Sequence, residues 1–428
     1  MTVTIVGAGY VGLVTAVVFS ELGNKVFCID VDEQRIENLK KGTPPFFEPG
    51  LEDTIKKNLK NKRLIFTSSY KNSVPNSKIV FICVGTPPKN NGEADLSQLF
   101  SSVESTAKNL KGYTTIAIKS TIPIGHEEEL EEIVRKNSGE KFEFAANPEF
   151  LREGSALVDA MHPDRIVVGT QSEQAKKILL EIHAPISGER ILTDIRSAQL
   201  IKYASNALLA TKVSFANALA GICELVGADV EAVLNGVGAD RRLGRIFLNP
   251  GVGYGGSCLP KDVLAFISIA DKFGYDFSLL KAVNQINSQQ PQKIISKLEK
   301  IPNIKLSGAK VAVWGLAFKP NTDDIREAPS LKIIKQLLEK GAKVAVYDPK
   351  AMNNAKKIFP DLLYCDSALD ALSGASALLL VTEWDEFKQI DLEDIKKQMV
   401  NPVIVDGRNF FNPKRAKELG FIYFGVGR

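Results

Sequence analysis

The stretch Thr2-Val3-Thr4-Ile5-Val6-Gly7-Ala8-Gly9-Tyr10-Val11-Gly12, with Leu13 to Leu22 and Lys25-Val26-Phe27-Cys28-Ile29-Asp30 behind it, decides the fold. Thr2 to Val6 is a short apolar run of the kind that forms a parallel strand buried on both faces. Gly7, Gly9 and Gly12 follow in a G-x-G-x-x-G pattern. Leu13 to Leu22 has helical spacing and stops at Gly23, and a second strand ends at Asp30. In this order the first glycine makes a tight turn, the second lets a pyrophosphate approach, and the third lets the helix pack on the strand. The stretch predicts a dinucleotide site; the plainer alternative is a glycine-rich turn with no ligand. Asp30 would accept hydrogen bonds from ribose hydroxyls and repel a 2′-phosphate, which favours NAD over NADP. Arg35, close by, works against that preference.

Further strands extend the pattern. Ile79 to Val84 is apolar and is broken by Gly85-Thr86-Pro87-Pro88; Thr115 to Lys119 ends in Ser120-Thr121. Ligands in open parallel sheets bind off the carboxyl ends of strands. Thr86 and Thr121 therefore belong to a cofactor rim, or more plainly cap turns. Phe142 to Ala146 reads as the last strand of this sheet. It leads into Asn147-Pro148-Glu149-Phe150-Leu151-Arg152-Glu153-Gly154, where Glu149 and Glu153 would share a face of a helix. Like charges so placed cost a little stability. They hint at function, with a solvated face as the alternative.

From Arg196 to Val226 there is no proline, and no glycine before Gly221, so one long alanine-rich helix is expected. Lys202 and Asn206 interrupt it at helical spacing. Its apolar remainder suits a linker between domains that also packs against a second subunit. Asp240-Arg241-Arg242-Leu243-Gly244-Arg245 then precedes Gly251-Val252-Gly253-Tyr254-Gly255-Gly256-Ser257-Cys258-Leu259-Pro260-Lys261-Asp262. Glycine lacks a Cβ, so backbone can lie close to a ligand. Pro260 suits the first position of a helix. A cysteine just before a helix N-terminus is favoured as the thiolate. The stretch reads as an activated sulfur at the lip of a glycine-lined pocket, with Lys202, Asp262 or a glutamate as its base.

After Ile301-Pro302-Asn303 the strand–helix pattern restarts. Lys310 to Trp314 is a strand, and Glu339 to Asp348 echoes Glu21 to Asp30. Lys319 and Pro320 stand where the glycine fingerprint would continue, so a second dinucleotide turn is not expected. Ala377 to Val381 and Pro402 to Val405 are further strands, the latter running into Asp406-Gly407-Arg408. The fold class is α/β: two doubly wound parallel-sheet domains joined by a long central helix.

Composition narrows the function classes. The chain has 428 residues, enough for two or three domains, and a net charge of +4 with no basic run interleaved with aromatics. Nucleic acid is not an expected partner. No apolar run reads as long enough to span a membrane, and no charged leader or cleavage site marks a signal peptide. Five cysteines form no disulfide framework, so a cytoplasmic protein is expected. Cys28, Cys83, Cys223 and Cys365 read as small packing residues. Neither these nor His126, His162 and His183 have metal-ligand spacing, and no metal site is expected.

Taken together the segments resemble the UDP-glucose/GDP-mannose dehydrogenase family over nearly the whole chain. The resemblance rests on Gly7 to Gly12, Glu48-Pro49-Gly50-Leu51, Lys119-Ser120-Thr121, Asn147 to Leu151, Gly253 to Cys258, Pro260-Lys261-Asp262, Gly315-Leu316-Ala317-Phe318-Lys319 and Asp406-Gly407-Arg408. It implies a four-electron oxidation of a nucleotide sugar, with UDP-glucose favoured, in which two NAD molecules are reduced. Cys258 would trap the aldehyde as a thiohemiacetal and carry the thioester. Lys202 and Asn206 would steady the oxygen on the reacting carbon, and Asp262 would help deprotonate through water. Glu149 and Thr121 would position or activate the hydrolytic water.

The resemblance also assigns Gly7, Gly9, Tyr10, Val11, Gly12, Asp30, Arg35, Thr86, Thr121, Glu153 and Arg326 to NAD. It assigns Phe150, Leu151, Arg152, Glu153, Lys202, Asn206, Asn249, Gly253, Tyr254, Gly255, Phe318, Lys319 and Arg408 to the nucleotide sugar, with Arg242 reaching in from a neighbouring subunit. The implied division is residues 1–195 for NAD, 196–300 for a helical linker and homodimer interface, and 301–428 for the nucleotide sugar. One departure is Leu259, where UDP-glucose enzymes most often carry phenylalanine; leucine there is common in the GDP-mannose branch. A GDP-mannose or UDP-N-acetylmannosamine oxidation is thus the sibling reading. A two-electron β-hydroxyacid dehydrogenase is more distant, since it needs neither Cys258 nor a second sheet.

Overall fold

The computed structural model describes residues 1–89, 92–302 and 304–428; Asn303, at the start of the expected C-terminal domain, lies outside them. The chain divides into two compact units. One comprises residues 1–205 with 268–273; the other comprises 206–267 with 274–428.

The first unit is built on eight strands: β1 (Thr2–Val6), β2 (Lys25–Ile29), β3 (Leu64–Thr67), β4 (Ile79–Ile82), β5 (Thr114–Ile118), β6 (Phe142–Ala146), β7 (Arg165–Gly169) and β8 (Glu189–Thr193). They lie in the order β3-β2-β1-β4-β5-β6-β7-β8. Neighbours are parallel except β6 and β7, which meet antiparallel at Ala146 and Gly169. The sheet therefore does not end at Phe142 to Ala146. β8 escapes the sequence pattern because it is an edge strand, and none of its side chains is fully buried. The central strands do show the apolar runs that burial on both faces requires.

The connection from β1 runs directly into the helix Tyr10–Glu21. Gly7 turns the chain with φ +98°, and a Cβ there would come within 2.8 Å of the Cys83 carbonyl oxygen. A Cβ on Gly12 would fall 1.9 Å from the Gly7 carbonyl oxygen. The first and third glycines are thus demanded by the chain's own packing. The strand order reverses between β1 and β4, the switch point at which ligands bind in such sheets.

The expected long helix runs over Ile195–Val226. Ala198 and Tyr203 are buried at one end, and Ala216, Ala220 and Cys223 join the core of the second unit. Contrary to the sequence expectation, an 18-residue window of this helix has a mean hydropathy of 1.3 and is long and apolar enough to cross a membrane; 33% of it is buried. Its alanines raise the mean without forming an obvious apolar run.

The second unit carries a six-stranded parallel sheet: β9 (Lys310–Trp314), β10 (Lys343–Tyr347), β11 (Leu363–Tyr364), β12 (Ala377–Leu380), β13 (Val403–Asp406) and β14 (Ile422–Phe424), in the order β11-β10-β9-β12-β13-β14. Asp348, after β10, occupies the place of Asp30 after β2. It is fully buried and accepts from the Leu316 and Ala317 N–H groups at 2.7 and 3.0 Å and from the Trp384 indole at 3.0 Å. Thr382 lies against Gly315. This turn is filled by protein.

Gly12→Ala should therefore destabilise the first unit by about 1–3 kcal/mol, the usual range for overpacking. Differential scanning calorimetry should show an earlier transition, and an unchanged thermogram would contradict the packing described.

Candidate functional site

In the first unit, the phosphate turn is closed by Asp30. Its Oδ2 accepts from the Ala8 N–H at 2.7 Å and from Arg35 at 3.0 Å, and its Oδ1 accepts from the Asp32 N–H at 3.0 Å. A Cβ built on Gly9 meets nothing within 4 Å. Open space therefore lies beside the second glycine, next to the unbonded N–H groups at the start of the helix Tyr10–Glu21. The residues present fit a dinucleotide. The two rim threonines come together: the Thr86 hydroxyl donates to the Thr121 carbonyl at 2.9 Å.

Glu149 and Glu153 do not share a helix face. Residues 147–152 are irregular, because the Glu149 carboxylate accepts from the Leu151 N–H at 2.6 Å and so closes a local turn. Nor do they form a solvated face, since both are buried. The Glu149 Oε1 accepts from the Lys202 ammonium at 2.8 Å, in an ion pair whose side chains are only 4% and 5% exposed. Burial works against the charged form of Glu149. Lys202, the Leu151 N–H and Lys119 outweigh it and hold the carboxyl below its ordinary range.

Phe150 lies beneath two cations, with the Arg165 guanidinium 3.8 Å and the Lys202 ammonium 5.4 Å from the ring centroid. Arg152 is exposed and clamps Asp159 through two nitrogens, at 2.6 and 3.0 Å. Glu153 sits in a turn fixed by a side chain given no role from the sequence. Glu48 accepts from the Tyr10 hydroxyl, from the Gly154 N–H at 2.6 Å and from the Ala156 N–H at 2.8 Å.

In the second unit, Cys258 caps the helix Leu259–Lys272, its carbonyl accepting from the Asp262 N–H at 2.9 Å. Pro260 is thus the second helical residue rather than the first. The thiol is partly exposed, while the other four cysteines are buried. The Ser257 hydroxyl lies 3.5 Å from the sulfur. Asp262 is fully buried in the first turn of this helix. It accepts from the Asn206 amide at 2.5 Å and from Lys261 at 2.5 Å.

The glycines ahead of Cys258 are explained by the protein itself rather than by close approach to a ligand. A Cβ would strike the Gly407 carbonyl oxygen from Gly251, Asn287 from Gly253, the Glu327 carbonyl oxygen from Gly255 and the Phe318 ring from Gly256. The Val252 N–H donates to the Gly407 carbonyl and the Gly256 N–H to the Arg326 carbonyl. Tyr254 exchanges two hydrogen bonds with the Asn287 amide, and burial pushes its hydroxyl up to about 12. Arg408 donates to the Val381 and Phe318 carbonyls and pairs with Glu383 at 3.1 Å. Lys319 sits 5.9 Å from the Phe318 ring centroid.

Three other expected ligand contacts have protein partners. Asn249 is held by Arg245 at 2.6 Å, exposed Arg242 by Asp240 at 2.6 Å, and Arg326 by Asp324 at 2.7 Å. Glu48, Lys119, Asn147, Arg165, Lys261 and Asn287 organise these clusters but carried no assigned role. Only charge directly at the end of an apolar strand, as at Lys119, would have flagged one of them.

Residues 1–187 match the NAD-binding domain model of the UDP-glucose/GDP-mannose dehydrogenase family, residues 196–289 its central domain, and residues 312–413 its UDP-binding domain. The chain is similar to UDP-glucose 6-dehydrogenase TuaD of Bacillus subtilis, with 44% identity over all of this chain and 93% of that protein. It is equally similar to UDP-glucose 6-dehydrogenase of Pseudomonas aeruginosa, again 44% identical, over all of this chain and 98% of that one. A solved UDP-glucose dehydrogenase from Pyrobaculum islandicum superposes with a TM-score of 0.93 and 38% identity, covering all of this chain and 97% of that one.

The Glu149–Lys202 pair makes a pH-dependent prediction. With its folded pKa lowered, Glu149 adds stability above its unfolded pKa, and that contribution is lost as pH falls through the folded value. Lys202→Met strands a buried carboxylate, at a cost of about 3–5 kcal/mol. In the variant burial is no longer opposed by Lys202 and raises the Glu149 pKa, so the drop in melting temperature should be largest at alkaline pH and shrink as pH falls and the stranded carboxyl takes up a proton. A deficit independent of pH would be inconsistent with this pairing.

Proposed function

Because this chain belongs to the UDP-glucose/GDP-mannose dehydrogenase family, an NAD-dependent oxidoreductase family, we propose that it converts UDP-glucose to UDP-glucuronate through a covalent intermediate on Cys258. The observation that carries this reading is the thiol itself: partly exposed, at a helix N-cap, where the helix dipole stabilises a thiolate. NAD bound along Gly7, Gly9, Tyr10, Val11 and Gly12, near Asp30, Arg35, Thr86 and Thr121, supplies a hydride acceptor. Glu153 and Arg326 are assigned to the same cofactor.

The first oxidation removes a hydride from the sugar's primary carbinol carbon and a proton from its hydroxyl. The Cys258 thiolate adds to the resulting aldehyde, and the tetrahedral adduct loses the second hydride to give a thioester. Water then adds and the thiolate leaves. One alcohol, two NAD and one water thus give one carboxylate, two NADH and three protons. Lys202 and Asn206, one turn apart on the same helix, steady the oxygen on the reacting carbon. Asp262, held by Asn206 and Lys261, assists deprotonation through water. Glu149, held as a carboxylate, and Thr121 position the hydrolytic water.

The nucleotide sugar is assigned to Phe150, Leu151, Arg152, Asn249, Gly253, Tyr254, Gly255, Phe318, Lys319 and Arg408. Work divides into residues 1–195 for NAD, 196–300 for the linker and interface, and 301–428 for the nucleotide. On the long helix Leu208, Phe215 and Ile222 are exposed at 62%, 53% and 55% and recur every seven residues on one face. That stripe supports a homodimer through this helix, with Arg242 reaching the partner's sugar; a cytoplasmic location is part of the same reading. Leu259 beside the thiol favours one second reading, a GDP-mannose or UDP-N-acetylmannosamine substrate.

Incubation with NAD and a panel of nucleotide sugars should yield two NADH per UDP-glucose; a ratio of one would sink the thioester route. Cys258→Ser should stop acid formation, and full acid production by that variant would show that sulfur is not the nucleophile. Leu208→Glu with Phe215→Glu should halve the mass measured by light scattering. An unchanged mass would place the interface elsewhere.

A further inference from the structure

Lys119 is a buried lysine without a carboxylate bonded to it. It follows β5 directly, is 9% exposed, and its backbone N–H donates to the Ile82 carbonyl at the end of β4. Its ammonium donates to the Asn147 side-chain oxygen at 3.0 Å and to the Asn147 carbonyl at 3.4 Å. Both acceptors are neutral. Among the described residues Lys119 forms no ion pair within 4.0 Å. Taking an ammonium out of water is costly, and two neutral oxygens on one residue do not offset the loss of hydration. A methionine would fill the same volume at no such cost. Stability alone gives no reason for this cation.

What Lys119 grips does give one. Asn147 is itself 1% exposed. Its N–H donates to the Ile118 carbonyl at 2.9 Å, and its side-chain amide donates to the Val167 carbonyl on β7 at 2.8 Å. Asn147 is therefore locked to β5 and β7, with Lys119 on its two remaining oxygens. Two residues on, after Pro148, stands Glu149. A charge two residues from a buried carboxylate acts across a low dielectric and is little screened. The groups that face Lys119 are Cys83 from the end of β4, His183 from the helix Glu173–His183, Glu149, and Lys202 from the long helix. Burial pushes the Cys83 thiol up to about 12 and the His183 imidazole down to about 3, so both are neutral near pH 7. The charged partners left are Glu149 and Lys202. Burial, with Lys202, pushes the Lys119 ammonium down from its ordinary value while Glu149 works against that, so one buried carboxylate faces two buried lysines, one bonded to it and one bonded to Asn147.

We propose that Lys119 is a positioning residue that, through Asn147, fixes the turn carrying Glu149 and supplies the second positive charge that keeps Glu149 ionised for the water-consuming step. The inference rests on the role given above to Glu149 in thioester hydrolysis. Lys119 touches no reacting atom in this scheme. Its effect is to set the proton affinity of the Glu149–Lys202 pair: loss of its charge raises the proton affinity of both members. The acid limb of turnover should then move to higher pH, whichever of the two acts as base.

The test uses the enzyme with Lys119→Met, and Asn147→Asp as a second variant that keeps the acceptor for the ammonium and neutralises it with its own carboxylate, while giving up the bond to the Val167 carbonyl. Each is assayed with NAD and UDP-glucose for kcat against pH, for the Michaelis constants, and by intact-protein mass for a UDP-glucuronyl thioester adduct on Cys258 during turnover. Lys119→Met is expected to lower kcat on the acid limb by about tenfold, one pKa unit's worth. It should leave both Michaelis constants within about twofold, shift the acid limb upward so that the deficit narrows at alkaline pH, and accumulate the adduct. Asn147→Asp should shift the limb in the same direction.

A Lys119→Met enzyme with an unshifted acid limb, whatever its rate, overturns the proposal. If Lys119→Met does not fold, an Asn147→Asp enzyme that folds and titrates as the parent does overturns it equally. A shifted limb without any adduct, in the parent as in the variants, would leave Lys119 in its role and count against the thioester reading instead.

Discussion

A carboxylate at the end of a second strand, bonded to the backbone of the turn after the first, sets the geometry of both sheets. Asp30 ties Ala8, and Asp348 ties Leu316 and Ala317. Each acid closes its turn on the switch point, where the next strand of the sheet crosses to the other side. The difference lies in what else each acid must satisfy. Asp348 also accepts from the Lys350 and Ala351 N–H groups and from Trp384, leaving it fully buried. Asp30 has the partly exposed Arg35 in place of the indole, and the second glycine of its turn borders open space. One device thus serves as a ligand rim in the first unit and as a closed structural knot in the second.

Much of this was legible in the sequence because burial on both faces leaves a plain signature. The ranges of β2, β6, β9 and β10 follow directly from apolar runs, as does the 32-residue helix from its freedom from proline. The edge strands β8, β11 and β14 were not legible. They are short or half-exposed, and their register comes from neighbours rather than from their own composition. At the site, the position of Cys258 ahead of its helix could be read locally, because a cap is a local structure. The environment of Glu149 could not. Spacing suggested a helix face, whereas the carboxylate closes its own turn and pairs with a lysine contributed by a distant helix. The glycines before Cys258 were read as room for a ligand, but their Cβ positions are blocked by residues from two other loops and a helix. Long-range packing is invisible in a single sequence, and that is where the reading failed.

The buried polar groups share a common economy. Glu149, Asp262, Asp348 and Asp406 are each enclosed, and each is met by several donors rather than by one. A carboxylate so surrounded keeps its orientation, because rotating it would break more than one bond at once. The same principle places the Lys202 and Asn206 side chains, whose acceptors are these fixed acids.

The loop before Cys258 has a consequence for how the chain matures. Its backbone bonds reach Arg326 and Gly407, partners far along the chain, and its glycines pack on residues equally remote. Contacts of such wide sequence separation form late in folding. The helix that the thiol caps is itself tied to the long helix through Asp262 and Asn206, and the walls around the sulfur need the loops of the C-terminal sheet. The surroundings of Cys258 are thus complete only once remote parts of its unit are in place.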